Sequence, residues 1–145
     1  MKELLYLKDI QLKGLIEKLF ISYRESFSDA KRTLDKYSIG IAHHKVLHLL
    51  SLYEGITISE LLQKLKVTKQ SLNRVLNDLI KLDTVSFEKD QLDTRIKHVF
   101  LNNKGKGLYE EIFLIQKKRI YRAFLKSTSE EVLNFDNVLK KIIDE

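Results

Sequence analysis

Between Ile56 and Gly105 the spacing of apolar positions switches from helical to period two and back, and this switch organises the reading of the whole chain. Leu72, Val75, Leu76 and Leu79 follow the 3, 4, 7 spacing of one buried stripe, and Thr68 just ahead of them is placed to N-cap a helix. At about 100° per residue the opposite face of that helix carries Gln70, Asn73, Arg74, Asn77 and Lys81. A shorter helix is expected over Ile58–Leu65, with Ser59 as its N-cap and Leu61, Leu62 and Leu65 turned inward. Lys66-Val67-Thr68 joins the two, and Ile56 ahead of them reads as a short β segment. After Asp83 the pattern alternates: Val85 and Phe87 mark one strand, Val99 and Leu101 another. The segment between them, Glu88 to Arg95, is polar and charged apart from Leu92.

A short helix, a tight turn, a second helix and a two-stranded hairpin with a charged tip make a winged helix-turn-helix. The flanks are helical. Apolar residues from Leu5 to Phe27 recur at helical spacing, and Ser28 to Ser38 is polar enough to read as a helix end or loop. A further helix runs from Ile41 to Tyr53, where Gly55 is placed to end it. From Lys104 to about Lys126 two apolar lines, Leu108-Ile112-Ile115 and Tyr109-Phe113-Ile120-Phe124, call for two burial partners. Thr128 and Glu131 have capping-box spacing, and the helix they open carries Val132, Leu133, Phe135, Val138, Leu139, Ile142 and Ile143. That face is too apolar for a terminal helix left in water and marks an interface, as does the N-terminal helix. The expected fold is mainly α with a small β wing. A winged helix-turn-helix DNA-binding region, 38–103, is flanked by a helical dimerisation region, 1–37 and 104–145, in a single compact chain.

Composition narrows the function. The chain has 145 residues, 26 Lys and Arg against 20 Asp and Glu, and a formal net charge of +6. Across Lys64 to Lys81 the cations Lys64, Lys66, Lys69, Arg74 and Lys81 meet one carboxylate, Asp78, so the basic excess lies on the helix-turn-helix itself and favours a polyanion. Without cysteine, disulfides and thiolate zinc sites are excluded. No apolar run approaches the length of a membrane span, and Met1-Lys2-Glu3-Leu4 lacks a signal-peptide core, so a cytoplasmic location is expected. No phosphate-binding Gly-rich loop, HExxH, GxSxG or cysteine nucleophile is present, so the chain reads as a non-enzyme without a cofactor. His44 and His48 share a helix face at four-residue spacing, but nothing nearby completes a ligand set, and packing roles are expected for them rather than a metal site.

The partner best matched to these residues is double-stranded DNA. Amides and arginine make paired hydrogen bonds to purine edges, whereas lysine goes more often to phosphate. Thr68, Lys69, Gln70, Asn73, Arg74 and Asn77 are therefore the expected major-groove residues, with Lys64 and Lys81 on phosphate. A winged-helix module that binds protein through the same face is the alternative. It fits less well, because protein interface cores are poor in lysine.

In Ile58-Ser59-Glu60-Leu61, Leu65-x-Val67-Thr68, Asp93-x-Arg95 and Leu101-Asn102-x-x-Gly105 the chain resembles the MarR family of transcriptional regulators. It departs from the family pattern at Asp83-Thr84-Val85, where Gly-Leu-Val is common, and at Asn102, where Thr is common. The resemblance implies a homodimer on a pseudo-palindromic operator, its wing reaching the minor groove through Lys89 and Arg95 with Asp93 holding the wing's shape. It also implies release of DNA by a small aromatic or phenolic effector. Tyr23, Tyr37, His44 and Tyr53 are the expected polar lining of that pocket.

Overall fold

The computed structural model describes residues 4–144; the Met1–Glu3 stretch of the signal-peptide reading lies outside the described residues. A 3-10 turn, Leu5–Leu7, precedes α1 (Asp9–Ser28), α2 (Lys31–Lys36), α3 (Ile41–Leu52), β1 (Ile56–Thr57), α4 (Ile58–Leu65) and α5 (Lys69–Lys81). Strands β2 (Val85–Lys89) and β3 (Lys97–Leu101), then α6 (Asn103–Leu125) and α7 (Ser129–Ile142), complete the chain. The expected fold class, mainly α with a small β wing, is the one observed. Residues cluster into two compact units, one of 1–28 with 114–145, the other of 29–113.

The 29–113 unit holds the buried core. Leu47, Leu61, Leu72, Leu79, Val99 and Ile112 are almost fully removed from water, so α3, α4, α5, β3 and the first half of α6 share one apolar centre. The α5 stripe is buried throughout, as its spacing predicts. The sheet runs β1-β3-β2, antiparallel, with Val85 opposite Leu101, Phe87 opposite Val99 and Ile56 opposite Val99 on the other side. By strand alternation Val85, Phe87, Val99 and Leu101 share the side of the sheet that faces the core, while Ser86, Glu88, His98 and Phe100 share the other.

Two expectations are corrected. Ser28 to Ser38 contains helix α2, because Ala30 and Leu34, four apart, bury one face while Lys31, Arg32, Asp35 and Lys36 stay in water. The N-cap of α4 is Thr57, not Ser59: its extended backbone (φ −81°, ψ 159°) lets its hydroxyl accept from Glu60 N–H at 3.1 Å. Thr68 caps α5 as expected, accepting from Ser71 N–H at 3.1 Å, and Thr128 with Glu131 forms the expected capping box of α7.

The turn out of α5 shows how the departures from the family pattern are accommodated. Asp83 adopts the left-handed conformation (φ 57°) that a glycine takes more easily. Asn102 steadies it by donating from Nδ2 to Asp83 O at 2.8 Å, while its Oδ1 accepts from Gly105 N–H at 2.8 Å and caps α6. Gly105 allows α6 to start there at all, since a Cβ would run into the backbone carbonyl of Thr84.

In the other unit, α1 and α7 bury no residue. Arg119 Nη2 lies 3.7 Å from Glu25 Oε2, Gln116 Nε2 donates to Ser26 Oγ at 3.3 Å, and the rings of Phe124 and Phe135 meet edge to face. Ile10, Ile16, Phe20, Leu125, Leu133, Ile142 and Ile143 remain exposed, so α1 and the C-terminal helices carry apolar faces that nothing among the described residues of the unit covers.

Candidate nucleic-acid interface

Helix α5 and the wing form the site. Burial of Leu72, Val75, Leu76 and Leu79 leaves Lys69, Gln70, Asn73, Arg74, Asn77 and Lys81 exposed, so the residues expected to read DNA share the outward face. The approach into α5 is tight. Lys66 takes a left-handed conformation (φ 52°) at the C-terminus of α4, turning the chain within three residues so that the start of α5 projects outward. Asp78 does not dilute the basic face: His43 donates to it from Nε2 at 2.9 Å while Nδ1 accepts from Gly40 N–H at 3.1 Å, tying α5 to the start of α3.

The first half of α5 and the wing border one groove of about 550 Å³. Lys69 and Asn73 line it from α5, Arg95 and Lys97 from the wing, and Thr57, Ser59 and Leu62 from the end of β1 and from α4. Of the sequence-predicted residues, Lys69, Asn73 and Arg95 are thus brought together. Lys97 and Ser59 join them, though neither is expected at the site from sequence, because their place there depends on the β3 register and on the start of α4. Lys89 is exposed at the end of β2, opposite Lys97. Lys64 is exposed on α4 with its ammonium 4.4 Å from the centre of the Tyr53 ring, a cation–π contact that holds the cation at the surface.

The wing is built around two carboxylates. Asp93 accepts from Arg95 N–H (3.0 Å), Nε (3.0 Å) and Nη2 (3.1 Å), so its carboxyl is held below the usual carboxylate range, first by the guanidinium and then by the backbone amide. Arg95 still has 90% of its side chain in water, and three of its five N–H donors are uncommitted to Asp93. Asp90 accepts from the N–H groups of Leu92 and Asp93, each at 3.0 Å, and closes the tip; Leu92 stands at that tip fully in solvent.

The expected effector-lining residues have different surroundings. Tyr23 is half exposed on α1, beside Phe27. Tyr37 donates to Glu111 Oε2 at 2.6 Å, which together with Lys36 depresses the Glu111 carboxyl. His44 is buried in the core, and Tyr53 stacks with Lys64. A second opening, about 470 Å³, lies between α3 and α6, lined by His48, Ser51, Lys106, Tyr109, Glu110 and Phe113 among others. There His48 Nδ1 and Tyr109 O–H pair at 2.7 Å, and burial shifts His48 down and Tyr109 up from their ordinary values, keeping both neutral. No sequence signal joined these two residues, which belong to different helices.

Among the described residues no group of three or more His, Cys, Asp or Glu is placed to hold a metal, and no helix is long and apolar enough to cross a membrane.

The profile of the MarR family matches residues 37–96, from the end of α2 to the wing. The HTH-type transcriptional regulator PetP of Rhodobacter capsulatus is 38% identical over 141 residues, spanning 97% of this chain and 85% of the relative. Among solved structures, a mutant MarR from Escherichia coli complexed with operator DNA superposes with a TM-score of 0.66 at 24% identity, covering 97% of this chain and 99% of that one. Staphylococcus aureus MarR in complex with salicylate and kanamycin gives 0.75 at 21% identity, covering 94% and 92%.

Proposed function

Because the chain belongs to the MarR family, whose members are transcriptional regulators rather than enzymes, we propose that it acts in the cytoplasm as a non-catalytic homodimer binding a pseudo-palindromic DNA operator. The observation that carries this reading is the shared groove of α5 and the wing, where Lys69, Asn73, Arg95 and Lys97 converge on one surface. In the reading, Thr68, Lys69, Gln70, Asn73, Arg74 and Asn77 enter the major groove, Arg95 and Lys89 follow the adjacent minor groove, and Lys64 and Lys81 take phosphates. The uncovered apolar faces of α1 and α7 support a partner subunit, and two copies related by a two-fold axis would address successive major grooves.

The cavity between α3 and α6 supports an effector of small aromatic or phenolic anion type. Tyr109 and Phe113 supply aromatic walls, Lys106 a cation, and the neutral His48–Tyr109 pair a polar contact. The experiment that tests the function is equilibrium binding to random-sequence duplex DNA across a salt series. A steep linear fall of log affinity with log salt is expected, and flat or absent binding would overturn the reading.

A further inference from the structure

His98 is the second residue of β3, paired with Thr57 on β1 and Glu88 on β2. Both of its ring nitrogens are engaged. Nδ1 lies 2.7 Å from the carbonyl oxygen of Gly55, and Nε2 lies 2.8 Å from Asp90 Oδ1. A backbone carbonyl can only accept. So can Asp90, whose other oxygen already takes two backbone N–H groups and whose carboxyl is held below its ordinary range, first by His98. Two acceptors require two donors, and an imidazole has two N–H groups only when it is protonated.

We propose that His98 is the positioning residue of the wing: as an imidazolium it fastens the hairpin tip, through Asp90, to the turn ahead of β1, through Gly55, and so sets the place of Arg95 and Lys97 on DNA. The inference rests on the DNA-binding reading above for its consequence, though not for its geometry. The connections run without a break. Gly55 O receives His98; His98 holds Asp90; Asp90 holds the amides of Leu92 and Asp93; and Asp93 holds Arg95. A hairpin tip that is otherwise polar and solvent-exposed gains a fixed attachment to the sheet at its root.

The charged groups facing His98 favour the protonated ring. Asp90 touches it, Glu88 stands opposite on β2, and Glu60 on α4 adds a weaker attraction, while Thr57 on β1 carries no charge. The nearest strand cations, Lys97 and its cross-strand partner Lys89, lie one step toward the tip, where strand alternation turns them to the other side of the sheet. The His98 ring is accordingly raised above its ordinary value of 6.5, first by Asp90 and then by the Gly55 carbonyl. A raised value in the folded state means that the clamp is complete below pH 6.5 and is lost as pH rises through the raised value. One ring nitrogen then presents a lone pair to an acceptor, and the link from Asp90 to Gly55 is broken at one of its two ends.

The test follows the His98 ring by NMR in the full chain, beside fluorescence anisotropy on a labelled random-sequence duplex from about pH 6 to about pH 8 at fixed salt. In the native protein the ring is expected to titrate above 6.5, and affinity to weaken with pH by at most about tenfold per unit for each proton released. His98→Gln should flatten this profile, and adding it to Arg95→Ala should cost little more than Arg95→Ala alone, because both act through the wing. Asp90→Asn, which keeps an oxygen to accept the tip amides, should return the His98 titration toward 6.5 and serves if His98→Gln folds poorly. A native ring titrating at or below 6.5, or a pH profile retained in both variants, would overturn the proposal. Failure of the native chain to bind duplex at any pH would overturn the DNA-binding reading and the wing's role with it, whereas the NMR titration with Asp90→Asn would still accept or reject the clamp.

Discussion

Two glycines in the same helix should respond to alanine with opposite signs. Alanine is the better helix former, by roughly 0.5–1 kcal/mol in a helix interior, so propensity alone would stabilise both variants. At Gly107 nothing lies within 4 Å of the added Cβ, and the propensity gain should be realised in full. At Gly105 the Cβ would meet the backbone oxygen of Thr84 and come within 3.1 Å of Leu101 Cδ2. Thr84 has no room to retreat. It is buried, its N–H and Oγ1 both donate to Leu79 O (3.1 and 2.8 Å), and its own oxygen accepts from Asn102 N–H at 3.0 Å. Overpacking against so fixed a neighbour costs roughly 1–3 kcal/mol, more than the propensity term returns. Gly105→Ala should therefore be destabilised and Gly107→Ala mildly stabilised, with melting temperatures separated by roughly 5–15 °C in a chain of this size. Thermal unfolding at one fixed protein concentration measures this, since the proposed dimerisation would make the melting temperature depend on concentration. A Gly105→Ala variant as stable as the native chain would refute the close approach between α6 and the turn after α5.

Arg74→Ala should lose roughly 1–3 kcal/mol of discrimination between a selected site and random duplex in competition assays, because the contact proposed for it is to a base edge. Lys81→Ala should weaken both DNAs alike and flatten the salt slope by about one unit per contact removed. Arg95→Ala should reduce affinity with little change in melting temperature, since its side chain is 90% exposed; unchanged affinity would show that the Asp93–Arg95 pair serves only the wing's shape. Acid should act on the wing in the opposite direction to His98: the depressed Asp93 carboxyl keeps its bonds at neutral pH and loses them as pH falls through its lowered value, to be read from carboxyl NMR shifts near the hairpin.

The parts of the fold that were legible in the sequence are those that local rules determine. The α5 stripe, the caps at Thr68 and Thr128 and the alternation of β2 and β3 all follow from spacing within a few residues. Helix α2 was hidden because six residues give little periodicity and four of them are charged, so the two buried apolar positions did not stand out. The cap at Thr57 was missed because the end of β1, which sets Thr57 in extended backbone, cannot be located from the local pattern. The outward face of α5 was readable for the same reason as its buried stripe. What escaped was long-range: Lys97 beside Lys69, His98 between Gly55 and Asp90, and His48 against Tyr109 depend on register and helix packing between residues far apart in the chain.

Selection of bound fragments from sheared genomic DNA of the source organism, with the full-length chain, tests the central claim most directly. The account predicts an enriched sequence with two inverted half-sites whose centres lie about 10–10.5 base pairs, or a multiple, apart, as two α5 helices around a two-fold axis require. Enrichment of a single asymmetric site, or no enrichment over random fragments, would contradict it.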